Sequence, residues 1–191
     1  KWAALFHDLG KAETGRTFEG KMTFYGHTEK SLQQFDPVAR RYRLANQEKT
    51  FIEKLINLHM RPLYLVQEDE KGHLTQRALA RLIREAGNAL SPLFLLSLAD
   101  SLAAEGPEKP KGLEDRIINL WSRALLIRKE KIKPAGKRST LVSGQDLIDL
   151  GLIPGPLFKT LLMEIEEAYL GEEILTREEA LDWVKEKTGL T

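Results

Sequence analysis

The chain has 191 residues, 42% hydrophobic and 30% charged, with a formal net charge of +1. That balance describes a soluble globular protein of one medium domain or two small ones; it excludes general disorder, and the total charge does not argue for nucleic acid. No run approaches the ~18 apolar residues of a membrane span, and no signal-peptide pattern opens the chain. The absence of cysteine excludes disulfides, thiolate metal sites and a cysteine nucleophile, and is compatible with a reducing cytoplasm.

In chain order, Leu5-Phe6-His7-Asp8-Leu9-Gly10-Lys11 places an adjacent His-Asp pair at the end of an apolar run. A helix stopping at Gly10 buries its leucines and presents an imidazole and a carboxylate together, both good ligands for a divalent metal. Only six residues precede the pair, so the chain reads as a fragment cut through a site. Arg16 to Tyr25 has the composition of a small hairpin around Glu19-Gly20-Lys21. His27 follows where the hairpin gives way to a helix, and Arg40, Arg41 and Arg43 cluster farther on. Phe51, Leu55, Ile56, Leu58 and His59 form one stripe of a helix over 51–60. His73, in a polar stretch, reads as an exposed loop residue.

Leu79, Leu82 and Ile83 mark the next helix, and 93–99 forms a strongly apolar one that Asp100 ends. Pro107, Pro110 and Gly112 interrupt the pattern. Ile117, Ile118, Trp121, Leu125 and Leu126 then mark a longer amphipathic helix. It runs into a basic stretch containing Arg128, Lys129, Lys131, Lys133, Lys137 and Arg138. Such runs commonly form solvated helix faces. Pro134 and Gly136 set the expected boundary between a domain over 1–133 and a helical tail domain over 139–191. In the tail, Ser143 with Asp146 predicts an N-cap, and Gly151 suits the position after a helix end. Pro156 suits the first residue of a helix, and Thr176-Arg177-Glu178-Glu179 reads as a capping box. The fold expected is all-α with one short β-hairpin.

His7, Asp8, His27, His59 and Asp100 each lie near the end of a hydrophobic element, where a polar group lines a cleft without deep burial. Taken alone, any one of them reads equally as a cap or a satisfied core residue. Together, His7-Asp8 followed by His27, His59 and Asp100 resembles the HD superfamily of metal-dependent phosphohydrolases. Phe24-Tyr25-Gly26-His27, His59-Met60-Arg61-Pro62 and Leu98-Ala99-Asp100-Ser101 narrow the likeness. With Val142-Ser143-Gly144-Gln145-Asp146-Leu147 and Gly151-Leu152-Ile153-Pro154-Gly155-Pro156, it is similar to the body and tail of bacterial tRNA nucleotidyltransferases and poly(A) polymerase-like enzymes.

The resemblance implies an HD-type helical domain with His7, Asp8 and Asp100 as metal ligands, and His27 and His59 as ligands of a second ion or donors to phosphate. An upstream histidine of the family pattern would fall before Lys1. The implied cofactor is a divalent metal (Mg, Mn, Ni or Fe), with Asp8 and Lys11 carrying phosphoester hydrolysis. The implied partner is tRNA or another RNA 3′ end, met by Arg40, Arg41, Arg43, Lys129, Lys131, Lys133, Lys137 and Arg138. The family's polymerase head, with its Gly-Ser motif and paired aspartates, has no counterpart here, so nucleotide addition, whether of CCA, CC, A or poly(A), belongs to a part absent from this chain. A stand-alone phosphohydrolase and a non-catalytic RNA-binding or structural body remain the alternatives.

Overall fold

The computed structural model describes residues 1–104, 109–131, 141–171 and 173–190. They are predominantly helical, with one two-stranded hairpin. The chain divides into two compact units, Lys1–Gly72 with Glu85–Ser122, and His73–Arg84 with Arg123–Thr191. The boundary expected at 134–136 lies outside the described residues. Among the described residues no helix is long and apolar enough to cross a membrane.

The first unit opens with α1 (Trp2–Phe6) and α2 (Lys11–Thr14), separated by the turn that carries His7 and Asp8. Helices this short are not stable alone. Aromatic packing holds α1: Phe6 lies 5.4 Å from Phe35, and Trp2 meets Tyr42 edge-on at 5.2 Å. Both partners follow the hairpin, Phe35 within α3 (His27–Arg41) and Tyr42 at its end. Strands β1 (Arg16–Phe18) and β2 (Lys21–Thr23) pair antiparallel with Thr17 opposite Met22. Their two-residue loop puts Glu19 and Gly20 at φ of 48° and 77°, as a tight hairpin matching strand twist requires.

Helix α4 (Asn46–Leu58) starts five residues before the predicted stripe and stops with His59 as its C-cap. Ile52, Leu55, Ile56 and Leu58 form its buried face. Helix α5 (Arg61–Glu70) begins with a proline in its first turn, where a missing N–H costs nothing. Helix α7 runs from Leu90 to Ala103, so Asp100 lies inside it and does not end it as the sequence predicted. An apolar helix tolerates that carboxylate because half-buried Asp100 opens toward the site.

Helix α6 (Gln76–Ala86) and helix α8 (Leu113–Lys131) contribute residues to both units. The face expected of α8 is corrected: Ile117 is buried, but Ile118, Leu125 and Leu126 are 43%, 40% and 56% exposed. Its buried stripe is Ile117, Leu120 and Ala124, spaced three and four residues apart. In the second unit α9 (Gly144–Asp149) and α11 (Arg177–Thr188) both start with capping boxes, from Ser143 and Thr176. Between them α10 (Pro156–Leu170) supplies Leu161, Ile165 and Ala168 to a core with Leu147, Ala180 and Val184.

Candidate metal centre

Five of the predicted residues meet in the first unit. His7 and Asp8 come from the turn after α1, His27 is the first residue of α3, His59 caps α4, and Asp100 comes from the last turns of α7. Asp8 is central. Its Oδ1 lies 3.6 Å from Nε2 of both His27 and His59, and its Oδ2 lies 3.3 Å from His7 Nε2. Asp100 Oδ1 closes the other side, 3.4 Å from His7 Nε2. Two donor triads result, Asp8–His27–His59 and His7–Asp8–Asp100, with Asp8 common to both.

All three imidazoles are oriented the same way. His7 Nδ1 donates to the Ala4 carbonyl at 3.0 Å, His27 Nδ1 to Phe24 at 2.9 Å, and His59 Nδ1 to Ile56 at 2.6 Å. A carbonyl only accepts, so each Nδ1 carries the hydrogen and each ring turns Nε2 into the site, where it offers a lone pair once that nitrogen carries no proton. The repeated step of three residues back to a helical or turn carbonyl makes this tautomer a product of local backbone. Nε2 of His27 and His59 face one another across 3.2 Å. Two opposed lone pairs repel, and a cation between them relieves the repulsion.

His7 and His59 are buried, at 9% and 2% exposure. His7 Nε2 and Asp8 Oδ1 are buried without an aligned hydrogen bond, a condition that normally has an explanation such as an ion. Two donors about 2.1 Å from a common ion stand about 3.0 Å apart at a right angle and about 3.4 Å at a tetrahedral one. The separations here match that range closely enough that the five residues fit a divalent metal. Three nitrogen and two carboxylate donors suit a borderline transition metal better than a hard oxygen-seeking ion.

Asp100 first, and then Asp8, push the His7 imidazole up to about 10 against the cost of burial. Burial disfavours ionised Asp8, but His59, His7 and Lys11 outweigh it and hold its carboxyl well below the usual carboxylate range. His7 likewise holds Asp100 low. Lys11 Nζ reaches Asp8 Oδ2 at 2.6 Å and lies over the Phe24 ring, 5.6 Å from its centroid. At 36% side-chain exposure it occupies the rim.

The other predicted residues are elsewhere. Arg40 pairs with Asp36 at 2.7 Å and, like Arg41 and Arg43, is exposed. Lys129 is exposed on α8. Lys133, Lys137, Arg138 and the side chain of Lys131 lie outside the described residues. His73 is exposed, as its polar surroundings predicted. Sequence reasoning missed Ser31 and Ser97, buried hydroxyls bonded to the backbone of His7 and His59. Ser97, a serine inside the apolar run 93–98, carried one sequence signal, and Ser31, in a polar stretch, carried none.

A family model described as HD domain matches residues 1–121. An A-adding tRNA nucleotidyltransferase of Deinococcus radiodurans is 28% identical over 191 residues, covering 97% of this chain and 41% of that protein. A CC-adding tRNA nucleotidyltransferase of Thermus thermophilus is 30% identical over 183 residues, covering 93% and 37%. The chain thus spans about two fifths of the length of these curated relatives.

Proposed function

The chain belongs to the HD domain family, and from that premise we propose that its first unit is a metal-dependent phosphohydrolase centre within the body of a tRNA nucleotidyltransferase-like protein. One observation carries the catalytic reading: three imidazoles, each fixed by an Nδ1–H bond to a backbone carbonyl, turn Nε2 onto Asp8. His7, Asp8 and Asp100 would hold one ion, and His27 and His59 with the shared Asp8 a second or a phosphate. Mn²⁺, Ni²⁺ or Fe²⁺ suits these donors better than Mg²⁺. A bound ion supplies Lewis acidity and lowers the pKa of water beside a phosphoester.

The chain's own residues prepare that chemistry. Asp8 stays ionised across neutral pH because the cations and imidazoles around it outweigh burial. Lys11 neutralises part of that charge and, at the rim, has donors left for a phosphoryl oxygen. The buried His7 and His59 side chains limit solvent on the inner side, while half-exposed Asp8, Asp100 and Lys11 define the approach for substrate.

A second role rests on the relatives, both tRNA nucleotidyltransferases matched across both units of this chain. The same body would bind tRNA or another RNA 3′ end in the cytoplasm, through lysine and arginine contacts to phosphates. Exposed Arg41, Arg43 and Lys129 are the described candidates.

Hydrolysis of bis-p-nitrophenyl phosphate and 2′,3′-cyclic AMP with added Mn²⁺ or Ni²⁺ tests the catalytic reading. The expected result is metal-dependent turnover abolished by Asp8→Ala. Turnover independent of metal, or unaffected by that substitution, overturns it. Filter binding of tRNA with a steep salt slope tests the second role, and salt-independent retention contradicts it.

A further inference from the structure

Two buried serines occupy corresponding places behind the metal centre. Ser31 and Ser97 are 0% and 1% exposed. Ser31 Oγ donates to the His7 carbonyl at 2.8 Å and accepts from Gly10 N–H at 2.9 Å. Ser97 Oγ donates to the His59 carbonyl at 3.1 Å. A helical serine usually bonds the carbonyl one turn back on its own helix. These two instead reach 24 and 38 residues along the chain.

The accepting carbonyls are ones that helix ends leave short of donors. His7 caps α1, and the Lys11 N–H four residues on is bonded to Asp8 at 2.9 Å. His59 caps α4, and three residues later Pro62 has no N–H to give. Each serine also stands on a helix that carries a different ligand. Ser31 follows His27 by one turn of α3, and Ser97 precedes Asp100 by three residues on α7. One hydroxyl therefore ties the His7-Asp8 turn to the helix of His27, and the other ties the His59 end of α4 to the helix of Asp100.

Resting on the metal centre proposed above, we propose that Ser31 and Ser97 are positioning residues that set the spacing of the ligand-bearing segments, and so metal affinity, without touching the ion. Partners behind metal ligands are worth about 10–100-fold in affinity when removed. The geometry predicts a division of labour. Loss of the Ser31 hydroxyl frees the His7-Asp8 turn, and loss of the Ser97 hydroxyl frees His59.

The test is calorimetric titration of the full chain with Mn²⁺ or Ni²⁺, comparing wild type, Ser31→Ala, Ser97→Ala and the buried control Ile117→Val. The expected result is about 10–100-fold weaker binding in each serine variant, and binding within twofold of wild type in the control. Imidazole ¹⁵N spectra of the metal-free proteins supply a second readout. Because Asp8 touches both rings, Ser31→Ala is expected to shift the His7 signals more than those of His59, with the reverse for Ser97→Ala. Wild-type affinity and unchanged ring signals in both serine variants overturn the proposal. Should an alanine variant not fold, the corresponding Ser→Cys variant, equal in shape but a weak donor, is subject to the same comparison. A wild type that binds no metal removes the phosphohydrolase reading, and the ring spectra then decide the positioning role by themselves.

Discussion

Gly10 offers a test in which two effects of opposite sign compete. Its backbone is right-handed, at φ −63° and ψ −16°, so alanine fits the local conformation. On that ground alone Gly10→Ala would stabilise by about 0.4–1 kcal/mol, by restricting the unfolded chain. The surroundings oppose it. A Cβ at this position would lie 2.1 Å from the His27 carbonyl oxygen, 2.7 Å from Lys30 Cβ and 2.7 Å from the Ser31 nitrogen. Two of these atoms are backbone of α3 and have little freedom to yield, so the turn must retreat by about 1 Å, an overpacking that costs about 1–3 kcal/mol. The retreat also breaks the bonds from Gly10 N–H to Ser31 and from Ser31 to His7, each worth about 1 kcal/mol. Contact wins, and net destabilisation of about 2–4 kcal/mol is expected. Urea unfolding in a Trp183→Phe background, followed by the fluorescence of Trp2 and Trp121 in the first unit, measures it. A variant as stable as wild type or more stable would refute the close approach that fixes the His7-Asp8 turn.

Other outcomes concern the second unit. Glu167, 6% exposed, faces Arg77, Arg81 and Arg84, with Arg81 at 3.3 Å. Glu167→Gln leaves Arg81 and Arg84 without this counter-charge and Arg77 with Glu173 alone, and about 1–3 kcal/mol is expected to be lost, less than for a wholly buried pair because the arginines are partly solvated. Unchanged thermal stability would contradict this. The bonds from Ser143, with Arg177 beside it, hold Asp146 down to about 2 from an ordinary 3.8. A depressed carboxyl gives stability that is complete above the ordinary value and fades as pH falls toward 2. The melting temperature of wild type should therefore fall more steeply than that of Asp146→Asn between pH 4 and 2, and parallel curves would count against the cap. Thr176→Ala removes the acceptor for the Glu179 N–H and should cost about 1 kcal/mol, read from urea unfolding.

What the sequence made legible was local or chemically distinctive. The caps at Ser143 and Thr176 were readable because each depends on residues three positions apart. His7, His27, His59 and Asp100, which gather with Asp8, stood out because the sequence places each near the end of an apolar stretch and their order resembles a known family pattern. The interior position of Asp100 was not readable, since apolar periodicity fades there while backbone bonding continues to Ala103. The buried stripe of α8 was hidden for a related reason. Leu125 and Leu126 look like core, and only packing gives that place to Ala124. Ser31 and Ser97 leave no periodic trace, because their role depends on contacts with segments 24 and 38 residues away.

The imidazoles of His7, His27 and His59 with Asp8 and Asp100 are proposed to form a metal centre. Anomalous diffraction from crystals grown with Mn²⁺ or Ni²⁺ tests it most directly. An anomalous peak bounded by Nε2 of a histidine and a carboxylate oxygen of Asp8, lost in Asp8→Asn, is the expected result. Crystals with these five side chains in the same arrangement and no anomalous peak among them would contradict it.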